Sequence, residues 1–377
     1  MRKLICGCDN TQVLQEMLDR CGNVVIPGGC YEISKTLEIH NHTRLILSAD
    51  TVIRLADQAN CNMLMNDCCD IEGTNYNITV EGGTWDGNNA AQTQGEQPDG
   101  KRYFFGLIMR FQGVEDLCIR DVRLKDPTRF ATQLKEIDRF TVENITFDFN
   151  MLERSMDGVH VQGNARNGMI RNIKGATNDD LVALNCEDIY DDGKKRTKTM
   201  GDIENIVVDG VFADNGYTAV RLLSCGSRMR NISIRNIFGT YRFYGISFTN
   251  HNMFPGAPKW LDNIDISNVY CAKHPQDPPV DRKFIDGVDN AYGVGVHDES
   301  IKYSPIIWFE HGTNCGNVSI SNVHRDEYAV TEAPTIQIDA DVNIERLKLS
   351  NITQRFVNCP EVPVFVNNGN VKKLIED

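Results

Sequence analysis

Asn231-Ile232-Ser233-Ile234-Arg235-Asn236-Ile237 is the stretch that decides the fold. It reads as Asn, aliphatic, any, aliphatic, any, Asn or Asp, aliphatic, and the chain repeats it. Asn263-Ile264-Asp265-Ile266-Ser267-Asn268-Val269 and Asn317-Val318-Ser319-Ile320-Ser321-Asn322-Val323 are further copies. Asn205-Ile206-Val207-Val208-Asp209-Gly210-Val211 is another, with a Gly inserted before the last aliphatic residue. Looser copies occupy 117–122, 140–145, 169–173 and 347–352. From 205 to 231 to 263 the steps are 26 and 32 residues, and the next step, to 317, is 54, which is two coils or one coil with a large insertion. Repeats of this length mean solenoids or propellers. Period-2 alternation within each copy means strands with every second residue buried.

A propeller blade needs four strands joined by hairpins, and Asn-Gly or Asp-Gly hairpin signals are sparse between the copies. A β-sandwich does not explain a repeated phrase. A parallel β-helix does: its inward Ile, Val and Leu stack on the same positions of the next coil, about 4.8 Å away. Asn at the bends suits it, because Asn tolerates the left-handed conformation and its amide can ladder between coils. The expectation is an all-β chain, a right-handed parallel β-helix, with an N-terminal capping helix. Residues 1–377 are expected to form one domain, with 1–23 as the cap and 24–370 as coils. Loop insertions fall near 88–105, 188–202 and 273–303, because the β phrases continue on both sides of each.

The cap is read from Val13, Leu14, Met17 and Leu18, which recur at helical spacing behind Asp9 or Asn10 as N-cap. A helix there plugs the open end of the first coil. The net charge of −13 and the lack of a basic cluster beyond Lys194-Lys195-Arg196 and Lys198 argue against nucleic-acid and anionic-membrane partners. No apolar stretch approaches the roughly 20 residues of a membrane span. The 13 Cys form no Cys-x-x-Cys pair and no His sits at zinc-ligand spacing, so buried free thiols in a reducing compartment are expected. With no export signal read at the N-terminus, the expected location is cytoplasmic, which implies imported, short saccharides. Exposed flanks of a β-helix suit pairing between copies, so a homo-oligomer stays open.

Two segments concentrate acids at the start of short β runs: Ser155-Met156-Asp157-Gly158-Val159-His160-Val161 and Asn178-Asp179-Asp180-Leu181-Val182-Ala183-Leu184. Asp179 follows Asp157 by 22 positions, about one coil. Alternation sends Val159, Val161, Val182, Leu184, Val220 and Leu222 inward, and His160, Ala183, Asn185 and Arg221 outward. Asp157, Asp179 and Asp180 lie just before their strands, where a bend lets all three reach one groove. Like charges on neighbouring coils cannot all ionise, so at least one pKa should rise. A raised acid can protonate a leaving oxygen and an ionised one can activate water. No metal site is expected: Glu187, Asp188, Asp191 and Asp192 lack a calcium-loop spacing and read as a solvated acidic turn.

The segment from Val24 to Leu55, with Ile26-Pro27-Gly28-Gly29-Cys30-Tyr31-Glu32-Ile33, resembles the opening coil of pectin-lyase-like β-helix enzymes. Gly82-Gly83-Thr84-Trp85-Asp86-Gly87 resembles the Gly-x-Ile-Asp-Gly phrase of polygalacturonases. Met156-Asp157-Gly158 resembles their Asn-Thr-Asp-Gly, and Asn178-Asp179-Asp180 their Gly-Asp-Asp. Over roughly 24–350 the chain is similar to glycoside hydrolase family 28 and its relatives. The resemblance implies that Asp179 is the general acid, that Asp157 with Asp180 holds the attacking water, and that the reaction inverts the anomeric centre without a cofactor. The family's Gly-His-Gly falls on Tyr217-Thr218-Ala219-Val220-Arg221, without His. Its uronate-binding Arg-Ile-Lys falls on Tyr244-Gly245-Ile246-Ser247-Phe248, without either cation.

The expected function is therefore a glycosidase acting on a short oligosaccharide, with His160, Asn185, Tyr217, Arg221 and His251 as candidate substrate-binding residues. A polysaccharide lyase or sugar epimerase on the same fold needs a cation and a base to handle an enolate, which an acidic groove does not offer. A non-catalytic carbohydrate-binding β-helix would not need three acids on adjacent coils.

Overall fold

The computed structural model describes residues 3–93, 106–153, 155–186, 201–250, 260–274 and 303–377. All strand pairs given for these residues are parallel, and each strand pairs with its counterpart about one repeat later. The chain is a parallel β-helix. Ile232 stacks on Ile206 below and on Ile264 above, and Ile234 on Val208 and Ile266. Ile264 pairs directly with Val318, so the 54-residue step is one coil with an insertion.

The Asn phrase forms these coils for the expected reason. Asn205, Asn231 and Asn263 have φ of 57°, 57° and 52°, and Asn236, Asn268, Asn322 and Asn351 have φ of 61°, 57°, 53° and 52°. A left-handed residue turns the chain at a cost that Asn bears better than most side chains. Each amide then donates to the Asn one coil below: Asn231 to Asn205 at 2.9 Å, Asn263 to Asn231 at 3.1 Å and Asn317 to Asn263 at 3.3 Å. A second ladder runs Asn351 to Asn322 to Asn268 to Asn236, at 2.9, 3.2 and 3.1 Å.

At the N-terminus, a helix over Thr11–Leu18 buries Leu14 and Leu18 against the first coil. Gln15 exchanges two hydrogen bonds with the backbone of Glu38, pairing the otherwise open strand edge. Asn10 holds Ile5 rather than capping the helix with its side chain, and Asp9 receives the Thr11 N–H instead.

Three expectations change. Asn88, Asn89 and Gln92, read as part of a polar loop, are buried, and Asn89 ties Pro127 to Asn150. Lys273, taken as the first residue of an insertion, is the buried end of the strand Trp260–Lys273. Of the Cys, only Cys69, Cys186, Cys225, Cys271 and Cys315 are buried, while Cys6, Cys8 and Cys21 are exposed. The rest of the three insertions (94–105, 188–200 and 275–302), the acidic turn with Glu187, and His251 lie outside the described residues.

One sheet positions the acids. It runs through the start of Thr132–Asp148 and of Val159–Lys174, then Asp180–Asn185, Thr218–Leu223, Ile246–Thr249 and Ile307–Phe309. Its inward residues, Val159, Val161, Val182, Leu184, Val220 and Leu222, are all completely buried.

Candidate active site

Asp157 precedes Val159–Lys174 by two residues, and Asp180 opens Asp180–Asn185. Val159 pairs with Val182, and the Gly158 N–H donates to the Asp180 carbonyl at 2.9 Å. The register therefore lays Asp157 beside Asp179-Asp180 on neighbouring coils. Gly158 makes this approach feasible, since a Cβ there would lie 2.5 Å from the Leu181 carbonyl oxygen. One carboxylate oxygen from each of Asp157, Asp179 and Asp180 lies within 4.8 Å of the others.

The three differ in surroundings. Asp157 and Asp180 are buried, whereas Asp179 keeps part of its surface open. Asp157 Oδ2 is 2.5 Å from His160 Nδ1, and its Oδ1 has no hydrogen-bond partner among the described residues. Asp180 Oδ2 is 2.8 Å from Arg221 Nε. Asp179 Oδ1 accepts the Asp180 N–H at 3.1 Å.

Burial, then the neighbouring Asp157 charge, pushes Asp179 up to about 7, with Arg221 and Arg129 opposing. Burial also drives Asp180 well above the usual carboxylate range, with the Arg221 guanidinium as its main counterweight. The Arg221 guanidinium touches the Asp180 carboxylate and favours its charged form most directly. The Tyr217 hydroxyl is raised by burial and then by the charges of Asp179 and Asp180.

Of the residues predicted to touch substrate, Arg221 meets Asp180, and Tyr217 immediately precedes Thr218, the register partner of Asp180; both remain partly open. His160 and Asn185 point outward from the strand but are completely buried, so outward did not mean exposed. His160 stacks on Phe130, with ring centroids 3.9 Å apart. With its amide oxygen turned to the guanidinium, Asn185 accepts from Arg221 Nη2 at 3.0 Å. His160 thus holds Asp157, and Asn185 holds the guanidinium that meets Asp180. Ser247 follows Arg221 in register, with a hydroxyl where the resemblance places a family cation.

Arg129 and Phe130 were missed. They sit in Pro127-Thr128-Arg129-Phe130, which has no motif. Only the Thr132–Val159 register brings that segment to Asp157, where the Ala131 N–H donates to the Asp157 carbonyl at 2.8 Å. Three clustered carboxylates could also chelate a cation, but the positive charges of Arg221 and Arg129 beside them oppose one.

No protein-family model matches the chain, and no curated protein matches it by sequence. Its fold is similar to that of the family 28 exopolygalacturonase of Yersinia enterocolitica, at 14% identity over 98% of this chain and 76% of that one, with a TM-score of 0.58. It is similar to that of the endo-xylogalacturonan hydrolase of Aspergillus tubingensis, at 13% identity over 95% and 94%, with a TM-score of 0.58. It is also similar to that of PfbA, a surface adhesin of Streptococcus pneumoniae, at 14% identity over 97% and 88%, with a TM-score of 0.57. At such identities the likeness shows the fold alone: this chain has the parallel β-helix that glycoside hydrolases and an adhesin share.

Proposed function

We propose that the protein is a glycoside hydrolase that cleaves a bond in a short oligosaccharide by carboxylate acid–base catalysis. The observation that carries this is the convergence of Asp157, Asp179 and Asp180, of which Asp179 alone is partly open, with its carboxyl pushed up to about 7. Asp179 delivers its proton to the leaving glycosidic oxygen. Asp157, whose Oδ1 is buried without a hydrogen-bond partner among the described residues, and Asp180, beside Arg221, are the carboxylates left to hold the attacking water. The solved glycosidases of this fold support the reading at the level of fold.

Screening the purified chain against nitrophenyl glycosides and oligosaccharides for reducing-end release, beside Asp179→Asn, tests it. The amide keeps the volume but cannot give up a proton, so the variant should fold and lose roughly 10²–10⁴-fold in turnover. Activity within a few-fold of the parent rules out Asp179 as the acid. Sugar binding without any cleavage favours a non-catalytic binder, as the fold shared with an adhesin allows. An unsaturated, ultraviolet-absorbing product means a lyase.

A further inference from the structure

We infer that Arg242 is the positioning residue that fixes the Thr177–Asp180 turn, and with it Asp179, against the coil that carries Asp157. The inference rests on the catalytic reading above. In this fold the strands are locked by the ladder of the next coil, whereas a bend outside the Asn ladders is held by its own side-chain contacts. All three acids sit at or just before the start of their strands: the sheet register brings them to neighbouring coils, and the bend before Asp180 sets where the Asp179 carboxylate lies.

Arg242 lies four residues before Ile246–Thr249, two coils beyond the Asp179 turn. Its guanidinium is almost completely buried and points back along the helix axis. Nη2 donates to the Thr177 carbonyl at 2.9 Å and approaches Asn178 Oδ1 at 3.4 Å. Nη1 donates to Asn215 Oδ1 at 3.0 Å and to the Asn215 carbonyl, on the intervening coil. Its own N–H is fixed by the Gly216 carbonyl at 2.7 Å.

The chain of contacts continues past Arg242's reach. Asn178 Nδ2 donates to the Glu153 carbonyl at 2.5 Å and approaches that of Met151 at 3.5 Å, just upstream of Asp157. Thr177 Oγ1 donates to the Asp179 carbonyl at 2.5 Å. One hydrogen-bonded line therefore joins the coil of Asp157, the turn of Asp179, the coil of Arg221 and Arg242 itself. The planar fork is what allows one side chain to hold two bends at once, and a lysine offers no such fork. The charged groups that bear on Asp179 from the surrounding elements are Asp157, Asp180, Arg221 and Arg129, with the neutral Tyr217 phenol raised by Asp179 in turn. A turn released by loss of Arg242 admits water and separates Asp179 from them.

The test compares Arg242→Lys and Arg242→Ala with the parent by carbon-13 NMR titration of the Asp179 carboxyl, assigned by its absence in Asp179→Asn. Turnover is measured on the best oligosaccharide from the screen. In both variants the titration should move down from about 7 by roughly one unit or more, and kcat should fall about 10²-fold, as misplacement of a reacting group costs. KM should change less than kcat. If Arg242→Ala does not fold, Arg242→Lys decides. An unmoved titration, or a moved one with kcat within twofold of the parent, overturns the inference. Full activity in Asp179→Asn would sink the acid assignment instead, leaving the titration to judge whether Arg242 holds the turn.

Discussion

Asp157 Oδ2 and His160 Nδ1 lie 2.5 Å apart, and both side chains are completely buried. Three positions apart in sequence, the two meet because Asp157 sits before the strand proper, where the chain bends. The imidazole, clamped against Phe130, fixes one carboxylate oxygen, and the other is buried without a hydrogen-bond partner among the described residues. His160→Ala removes that restraint while leaving Asp157 in place. Turnover should fall about 10²-fold through loss of alignment, with far-ultraviolet circular dichroism unchanged. Turnover equal to the parent's would mean that the contact only fills space.

The pH profile follows from Asp179. A general acid works while protonated, and burial beside Asp157 holds this one up to about 7. Activity should therefore fall as pH rises through about 7, and a kcat profile that stays flat through that region would remove Asp179 from the proton-transfer step. Stability has the same sign. The folded-state pKa lies above the unfolded one, so the unfolded chain releases this proton first and this group destabilises the fold increasingly from about pH 4 to about pH 7. Asn mimics the neutral acid. Asp179→Asn should thus melt higher than the parent at pH 8, with the gap closing by pH 4, as read by calorimetry.

Stereochemistry offers an independent check. Two carboxyl groups about 5 Å apart usually mark a retaining enzyme, and wider pairs an inverting one. Here three acids lie within 4.8 Å, and water shared between Asp157 and Asp180 needs no covalent intermediate. Proton NMR of the first product should show the inverted anomer. The retained anomer would make one of the buried carboxylates a nucleophile.

Polygalacturonate should be a poor substrate. Arg221 is committed to Asp180, Ser247 stands next in register where a second cation would help, and the net charge of −13 repels a polyanion. Rates on polygalacturonate typical of an efficient enzyme would contradict this. Short neutral or singly charged oligosaccharides should be cleaved faster, as a reducing-sugar assay on both would show.

The Asn ladder predicts a stability effect away from the site. Asn231 combines φ of 57° with an amide donating to Asn205 and an oxygen accepting from Asn263. Asn231→Ala keeps the unfavourable backbone and loses both contacts. About 1–2 kcal/mol should be lost in urea unfolding, and Asn231→Gly should lose less. An unchanged midpoint for the Ala variant would mean that the ladder adds nothing.

The sequence alone determined the coil. Its period, its inward Ile and Val, and the Asn recurring at left-handed bends are local properties, repeated until they leave one architecture, and the capping helix followed from its own spacing. It also placed Asp157 and Asp179 about one coil apart, because a solenoid converts a period in sequence into adjacency in space. Only the tertiary structure decided what surrounds the acids. That His160 and Asn185 are buried, that Arg221 grips Asp180, and that Arg129, Phe130 and Arg242 reach the site depend on how bends of different coils fold over one another. Bends carry no period, and a side chain that crosses two coils leaves no trace in the spacing of residues along the chain.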